Sequence, residues 1–225
     1  FCLPPEKKAC NQSVIVIDAG GTNFRSCLVT FDAEGNASIS EMEKTRMPGI
    51  DRELNRKEFF DQIASNLEHL KNKANRIGFC FSYPMTITED GDGILLGFSK
   101  EVKAPEVVGA KVGETLVKAL EEKGWNKIER ITLCNDTVAA LLAGATVIPA
   151  NEVSSYIGMI LGTGLNAAYI QEDCQCCGVK RQIIVCESGK FTSVNRSDFD
   201  LAVDAKTVKP GSFLLEKLCS GAYLG

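Results

Sequence analysis

Short apolar runs and helix-spaced apolar positions alternate along most of the chain. Residues 14–17 (Val-Ile-Val-Ile) are β-branched and predict a buried strand. The turn signal Asp18-Ala19-Gly20-Gly21-Thr22-Asn23 follows, and 24–31 reads as a second strand. The turn Asp32-Ala33-Glu34-Gly35-Asn36 leads to a third strand over 37–42, which together predict an antiparallel meander. Over 56–74, Phe59, Phe60, Ile63, Ala64, Leu67 and Leu70 recur at spacings of three and four and make one apolar helix face. Residues 76–82 return to strand, stopped by Tyr83-Pro84. A hairpin is expected over 86–98 around Glu89-Asp90-Gly91-Asp92-Gly93, an amphipathic helix over 112–123 closed by Gly124, a strand over 129–134 and a helix over 137–147. Then 155–161 and 165–171 form strand–turn–strand around Gly162-Thr163-Gly164, 183–186 is a further strand, and 213–218 starts a helix.

The order β-β-β-α-β-α-β-α followed by a fresh strand–turn–strand predicts two αβ units. The boundaries expected are 1–135 for the first and 136–225 for a truncated second. The chain opens at Phe1 rather than Met, and 220–225 has the apolar content of a helix, so a fragment is expected. With 225 residues, 44% hydrophobic and 24% charged, the chain is composed like a folded protein and unlike a disordered one. The net charge is -4 and no Lys/Arg run stands out, which gives no electrostatic support to nucleic-acid or membrane-surface binding. The apolar runs are strand-sized, short of the ~20 residues a bilayer span needs, and no secretory leader is visible.

Ten cysteines are many. Most sit in apolar strand-like runs, as do Cys27, Cys80 and Cys134, where free Cys behaves as a small hydrophobe. Reduced thiols in a cytoplasmic protein are therefore expected. Cys174-Gln175-Cys176-Cys177 is the one cluster with a metal-site look. A structural zinc wants four ligands, usually as two spaced pairs. The lone His69 is far away in sequence and no second CxxC pair exists, so an exposed hairpin turn is expected there instead.

Asp18-Ala19-Gly20-Gly21-Thr22 lies between two strands. Successive glycines let backbone approach a ligand closely, and their N–H groups can point into one concavity that fits phosphate. Thr22 adds a hydroxyl, and Asp18 suits a hydrated Mg²⁺. A plain hairpin turn is the other reading. Gly162-Thr163-Gly164 is a second such turn, and the two could clamp a polyphosphate from both sides. Asn135-Asp136 ends a strand and opens a helix. Asp136 is either a helix N-cap or a carboxylate placed to accept a proton, with Asn135 orienting a hydroxyl-rich substrate. Ser82, Ser99, Lys100, Asn166 and Glu187 also fall at strand ends. Singly each reads as a loop residue; together they suit a polyol.

These segments resemble hexokinases of the actin-like ATPase superfamily. Asp18-Ala19-Gly20-Gly21-Thr22-Asn23-Phe24-Arg25 is similar to the first phosphate segment. Phe79-Cys80-Phe81-Ser82-Tyr83-Pro84 and Gly97-Phe98-Ser99-Lys100 are similar to the sugar segments, with Ser99 where the family usually has Thr. Cys134-Asn135-Asp136-Thr137-Val138 resembles the segment of the catalytic Asp, and Leu161-Gly162-Thr163-Gly164-Leu165-Asn166-Ala167 the second phosphate turn. Glu187 matches a sugar-binding Glu, and 212–225 resembles a helix ending in Ser-Gly-x-Tyr-Leu-Gly. The matches come in family order across nearly the whole chain. The family's acidic sugar ligand after Tyr-Leu-Gly and its adenosine segment lie beyond Gly225.

The resemblance implies an α/β protein with the actin-like ATPase (ribonuclease H-like) fold, mixed β-sheets flanked by helices in two lobes, the second incomplete. It implies ATP-dependent phosphorylation of the 6-hydroxyl of glucose or a related hexose, with ATP and Mg as cofactors. Asp136 is then the base. Ser82, Ser99, Lys100, Asn135, Asn166 and Glu187 hold the sugar. Asp18, Gly20, Gly21, Thr22, Asn23, Arg25, Gly162, Thr163 and Gly164 line the phosphate path, Asp18 placing the metal; Arg25 also reads as an outward-facing strand residue. A hexokinase-like sugar sensor without turnover is the alternative, against which the intact Asp136 and both glycine turns argue. A kinase for an acyl sugar or polyol is a third reading, disfavoured by Ser82-Tyr83-Pro84 and Ser99-Lys100. Oligomeric state is left open.

Overall fold

The computed structural model describes residues 9–98, 102–148, 151–174, 179–207 and 209–224. The chain divides into two compact units, with the boundary between Asp136 and Thr137.

In the first unit, β1 (Gln12–Ala19), β2 (Asn23–Phe31) and β3 (Ala37–Arg46) form the predicted meander. The third strand runs past the expected Met42 because it crosses a β-bulge: the register slips between Ser26 and Leu28, and Glu41 takes φ of 50°. β4 (Arg76–Phe81) and β7 (Arg130–Cys134) run parallel to β1 and complete a five-stranded sheet in the order β3-β2-β1-β4-β7. Strand alternation sends Ile15, Ile17, Ala19, Phe79, Phe81 and Leu133 to one face, where they join a contiguous core with α1 (Arg56–Asn66) and α2 (Val112–Glu122).

α1 opens on a capping box between Asn55 and Glu58. It ends at Asn66, not at the expected Ala74. A single 3₁₀ turn, Glu68–Leu70, follows, and Asn72 at φ 62° ends the run. Leu67 and Leu70 are fully buried, but a spacing of three satisfies a 3₁₀ turn as well as an α-helix.

The expected hairpin is β5 (Met85–Ile87) with β6 (Gly93–Leu95). Its turn has a long-range task. The buried Asp92 carboxylate accepts N–H bonds from Gly93 at 2.6 Å, Gly113 at 2.7 Å and Glu114 at 2.8 Å. The last two are opening donors of α2, whose own N-cap, Lys111, supplies no side-chain bond. Residue 113 must be small, since a Cβ there would lie 2.7 Å from Asp92 Oδ1 and 2.8 Å from Ile131.

The second unit contains α3, which runs Asp136–Val147 and so begins one residue before the boundary, and an antiparallel sheet of β8 (Ile157–Leu161), β9 (Leu165–Cys174) and β10 (Val179–Val185) in the order β10-β9-β8. β9 and β10 are longer than the expected 165–171 and 183–186. Backbone approach of α3 to β8 depends on Gly158, where a Cβ would stand 2.5 Å from the Thr137 carbonyl oxygen. α4 (Asp198–Ala205) was not anticipated, although Ser197 and Asp200 form its capping box. It is short, and Phe199, Leu201 and Val203 are exposed, so it shows no core-facing apolar stripe. α5 (Leu214–Cys219) closes the described chain.

Candidate active site

β1, β4 and β7 end side by side, and the segments after them carry the first group of candidates. Residues in register on neighbouring strands project from the same face. Arg25, Asp18, Cys80 and Cys134 are such a row across β2, β1, β4 and β7. Arg25 Nη1 donates to Asp18 Oδ2 at 2.8 Å. Beyond the strand ends lie Gly20–Asn23, Ser82 and Asn135-Asp136, so the structure gathers all of these at one end of the sheet. Asp136 is the first residue of α3. Ser82, Asn135 and Asp136 are half-buried.

The first glycine turn is held through its carbonyls. The Gly20 N–H closes on the Asn23 oxygen at 3.0 Å, the Thr22 oxygen accepts from Met47 N at 3.0 Å, and the Tyr83 hydroxyl donates to the Gly20 oxygen at 2.8 Å. The N–H groups of Gly21 and Thr22 find no acceptor among the described residues. Asn23 Nδ2 donates to Thr22 Oγ1 at 3.2 Å. Tyr83 belongs to an aromatic cluster, with ring centroids 4.8 Å from Phe81 and 4.9 Å from Phe98. Burial there pushes its phenol above the ordinary range. The neighbouring Cys134 thiol and burial raise the Cys80 thiol, with the Asp18 and Asp136 carboxylates adding to the rise, while the neighbouring Cys80 thiol lowers Cys134.

The second unit repeats the device with different support. Gly162 N–H closes on the Gly164 oxygen at 2.9 Å, and the carbonyls of Gly162 and Thr163 accept from Gly221 N at 2.7 Å and Ala222 N at 3.3 Å. The N–H groups of Thr163 and Gly164 find no acceptor among the described residues. Glu216 of α5 accepts the Leu165 N–H at 2.9 Å and lies against the turn: a Cβ on Gly164 would be 2.7 Å from its carboxylate. Asn166 and Glu187 also meet here. Asn166 Nδ2 donates to Glu187 Oε1 at 3.4 Å, Asn166 Oδ1 accepts from Ser188 N at 3.3 Å, and Lys190 pairs with Glu187 Oε2 at 2.9 Å. Glu187 has φ of 52°, a conformation that costs a non-glycine residue ~1–3 kcal/mol and collects at functional sites.

A hexokinase family model matches residues 5–146. The chain belongs to the hexokinase family. A second hexokinase model matches residues 156–225. The chain is 31% identical to Hexokinase-1 of Schizosaccharomyces pombe, over 95% of this chain and 47% of that protein. It is 33% identical to Hexokinase-2 of Oryza sativa subsp. japonica, over 93% of this chain and 46% of that protein. Among solved structures, the hexokinase from Schistosoma mansoni complexed with glucose superposes with a TM-score of 0.77 at 30% identity, covering 95% of this chain and 50% of that one. A glucokinase from an Antarctic psychrotroph, 21% identical with a TM-score of 0.51, shares the fold. The chain spans about half the length of the curated relatives it matches. The expected α/β sugar-kinase fold of the actin-like class, with mixed sheets flanked by helices, is the one found.

Ser99, Lys100 and Gln175-Cys176-Cys177 of the Cys174-Gln175-Cys176-Cys177 cluster lie outside the described residues. Among the described residues no group of three or more His, Cys, Asp or Glu side chains could hold a metal ion, and no helix is long and apolar enough to cross a membrane. Sequence reading missed two supports of the glycine turns, the Tyr83 hydroxyl and Glu216. Their partners lie 63 and 51 residues away, and the only local sign was the family-like helix in which Glu216 sits.

Proposed function

We propose that this chain is the sugar- and phosphate-handling part of an ATP-dependent hexose kinase, transferring the γ-phosphoryl group of MgATP to the 6-hydroxyl of glucose or a related hexose. The observation that carries the reading is the convergence of Asp18, the Gly20–Asn23 turn, Ser82 and Asn135-Asp136 at the ends of three parallel strands in a chain of this family. Phosphoryl transfer asks a protein for positioning and charge stabilisation more than for covalent chemistry. Asp136 takes the proton from the sugar hydroxyl as its oxygen attacks phosphorus. Ser82 and Asn135 in the first unit, and Asn166 and Glu187 in the second, hold the sugar hydroxyls, with Ser99 and Lys100 in the same role.

The donor set fits a magnesium polyphosphate. Each glycine turn leaves two successive N–H groups without an acceptor among the described residues, the arrangement phosphate oxygens need. Asp18 is a hard, partly exposed carboxylate at a strand end and would hold hydrated Mg²⁺, which neutralises charge on the β- and γ-phosphates. Arg25 fixes the Asp18 carboxylate by their 2.8 Å ion pair. A cytoplasmic setting accords with such a reaction and with the many free thiols.

Glucose-dependent ADP release, measured on the 225-residue chain and on the full-length protein, tests the reading. In the full-length protein Asp136→Ala lowers turnover by at least ~10²–10⁴, the range for a lost general base, with glucose binding retained. Near-normal turnover removes Asp136 from the role. Glucose binding without any ADP release favours the sensor.

A further inference from the structure

The row that carries Asp18 also carries two cysteines for which phosphoryl transfer has no use. Cys80 of β4 and Cys134 of β7 are register partners on adjacent parallel strands, and both are only half-buried. Register partners project from one face, with Cα atoms about a strand spacing, ~4.8 Å, apart. That lies inside the ~4.4–6.8 Å window of disulfides. Cys80 is two residues before Ser82, and Cys134 directly precedes Asn135-Asp136.

We propose that Cys80 and Cys134 form a dithiol site that a peroxide oxidises reversibly to a disulfide, which shifts the strand ends bearing Ser82 and Asn135-Asp136 and lowers turnover. One thiol loses its proton and attacks a peroxide oxygen, releasing one water and leaving a sulfenic acid. The second thiol attacks that sulfur and releases the other water. Two thiols and one H₂O₂ thus become one disulfide and two H₂O. Disulfides favour Cα separations of ~5.5–6 Å, wider than the ~4.8 Å strand spacing, so the bond pushes β4 and β7 apart at their ends. A bond formed against the sheet in this way is easily reduced, as labile disulfides are. The effect on turnover rests on the hexose-kinase reading; the linkage itself does not.

The test treats the chain with hydrogen peroxide, alkylates remaining thiols and maps peptides by mass, with the exposed Cys10 and Cys186 as accessible controls. The expected result is a linked pair of peptides holding Cys80 and Cys134, lighter than their sum by two hydrogens and separated by dithiothreitol. In the full-length protein, glucose-dependent ADP release falls on the same time course and returns on reduction. Cys80→Ser, and independently Cys134→Ser, keep turnover and lose the peroxide response. Full alkylation of both cysteines after peroxide, or their linkage to other cysteines, overturns the dithiol. Linkage with unchanged turnover overturns the control of the site. A full-length protein without hexose turnover overturns the kinase reading, and with it the catalytic consequence, while the peptide map alone decides the dithiol.

Discussion

Behind the first glycine turn stand Tyr83 and Phe81 of an apolar core whose residues run from Ile15 to Leu133, with the half-buried Phe98 packed against it. Behind the second stand carboxylates and cations. Glu216 holds Leu165 N, and in the same unit the buried Asp204 ties α4 to α5 by pairing with Lys217 at 2.5 Å and Arg196 at 3.1 Å and by accepting from Gly211 N. The second unit also leaves Ile157, Met159 and Leu161 of β8 exposed. Two loops of one chemical kind, each with two N–H donors that find no acceptor among the described residues, thus rest on opposite physics. Hydrophobic burial is non-directional and insensitive to pH, whereas a network of buried ions depends on every member keeping its charge.

The difference is open to attack by mutation, because the single tryptophan, Trp125, is buried in the first unit and its fluorescence follows that unit alone. The largest effect is expected from Asp204→Asn, which leaves the Lys217 ammonium buried without its counter-charge. The circular-dichroism melt falls while the Trp125 transition stays in place; equal shifts in both would show that the units unfold together. The Lys217 bond holds the Asp204 carboxyl below the usual range. A depressed carboxylate contributes stability above its unfolded pKa of ~3.9 and loses it as pH falls through the folded value. Melts of the parent and Asp204→Asn therefore differ most near neutrality and converge below about pH 4.

Gly189→Ala comes next. Its Cβ would lie 2.8 Å from the Leu165 carbonyl oxygen and 2.9 Å from Glu216 Oε2, at the back of the second turn. Backbone cannot yield as a side chain does, so a loss of ~1–3 kcal/mol is expected from overpacking, again in the melt and not in the Trp125 signal. Smaller still is Tyr83→Phe. The ring stays in its cluster and the bond to the Gly20 oxygen goes, about 0.5–1.5 kcal/mol. This loss moves the Trp125 transition. A shift confined to the circular-dichroism melt would contradict the assignment of that support to the first unit.

What the sequence made legible divides along the same line. Strands β1, β2, β4 and β7 were readable because period-two burial and bounding turn residues are local signals, and the glycine turns because Gly-Gly-Thr and Gly-Thr-Gly interrupt strands. The supports were not readable. Asp92 looks like a hairpin-turn residue, yet it caps a helix that begins twenty residues later. Glu216 looks like one face of a short helix until Leu165 N is found on it. Leu67 and Leu70 kept an apolar spacing while the helix had already tightened to 3₁₀. Local pattern specifies what an element is; which distant donor or acceptor completes it depends on the assembled fold.

The smallest effect on stability separates two uses of glycine. A Cβ on Gly20 meets nothing closer than the Asn23 oxygen at 3.5 Å, an ordinary contact, and one on Gly162 meets nothing within 4 Å; neither residue has a positive φ. Neither glycine is there for packing, unlike Gly164 and Gly189, which press on Glu216. Alanine at 20 or 162 is expected to leave both melting transitions in place, or to raise them slightly, by ~0.4–1 kcal/mol, through a stiffer unfolded chain. If these positions are open so that phosphate can approach backbone, the added methyl raises KM for ATP and spares KM for glucose in the full-length protein. Unchanged KM for ATP in both variants would leave the turns as well-supported hairpins and move the phosphate path elsewhere.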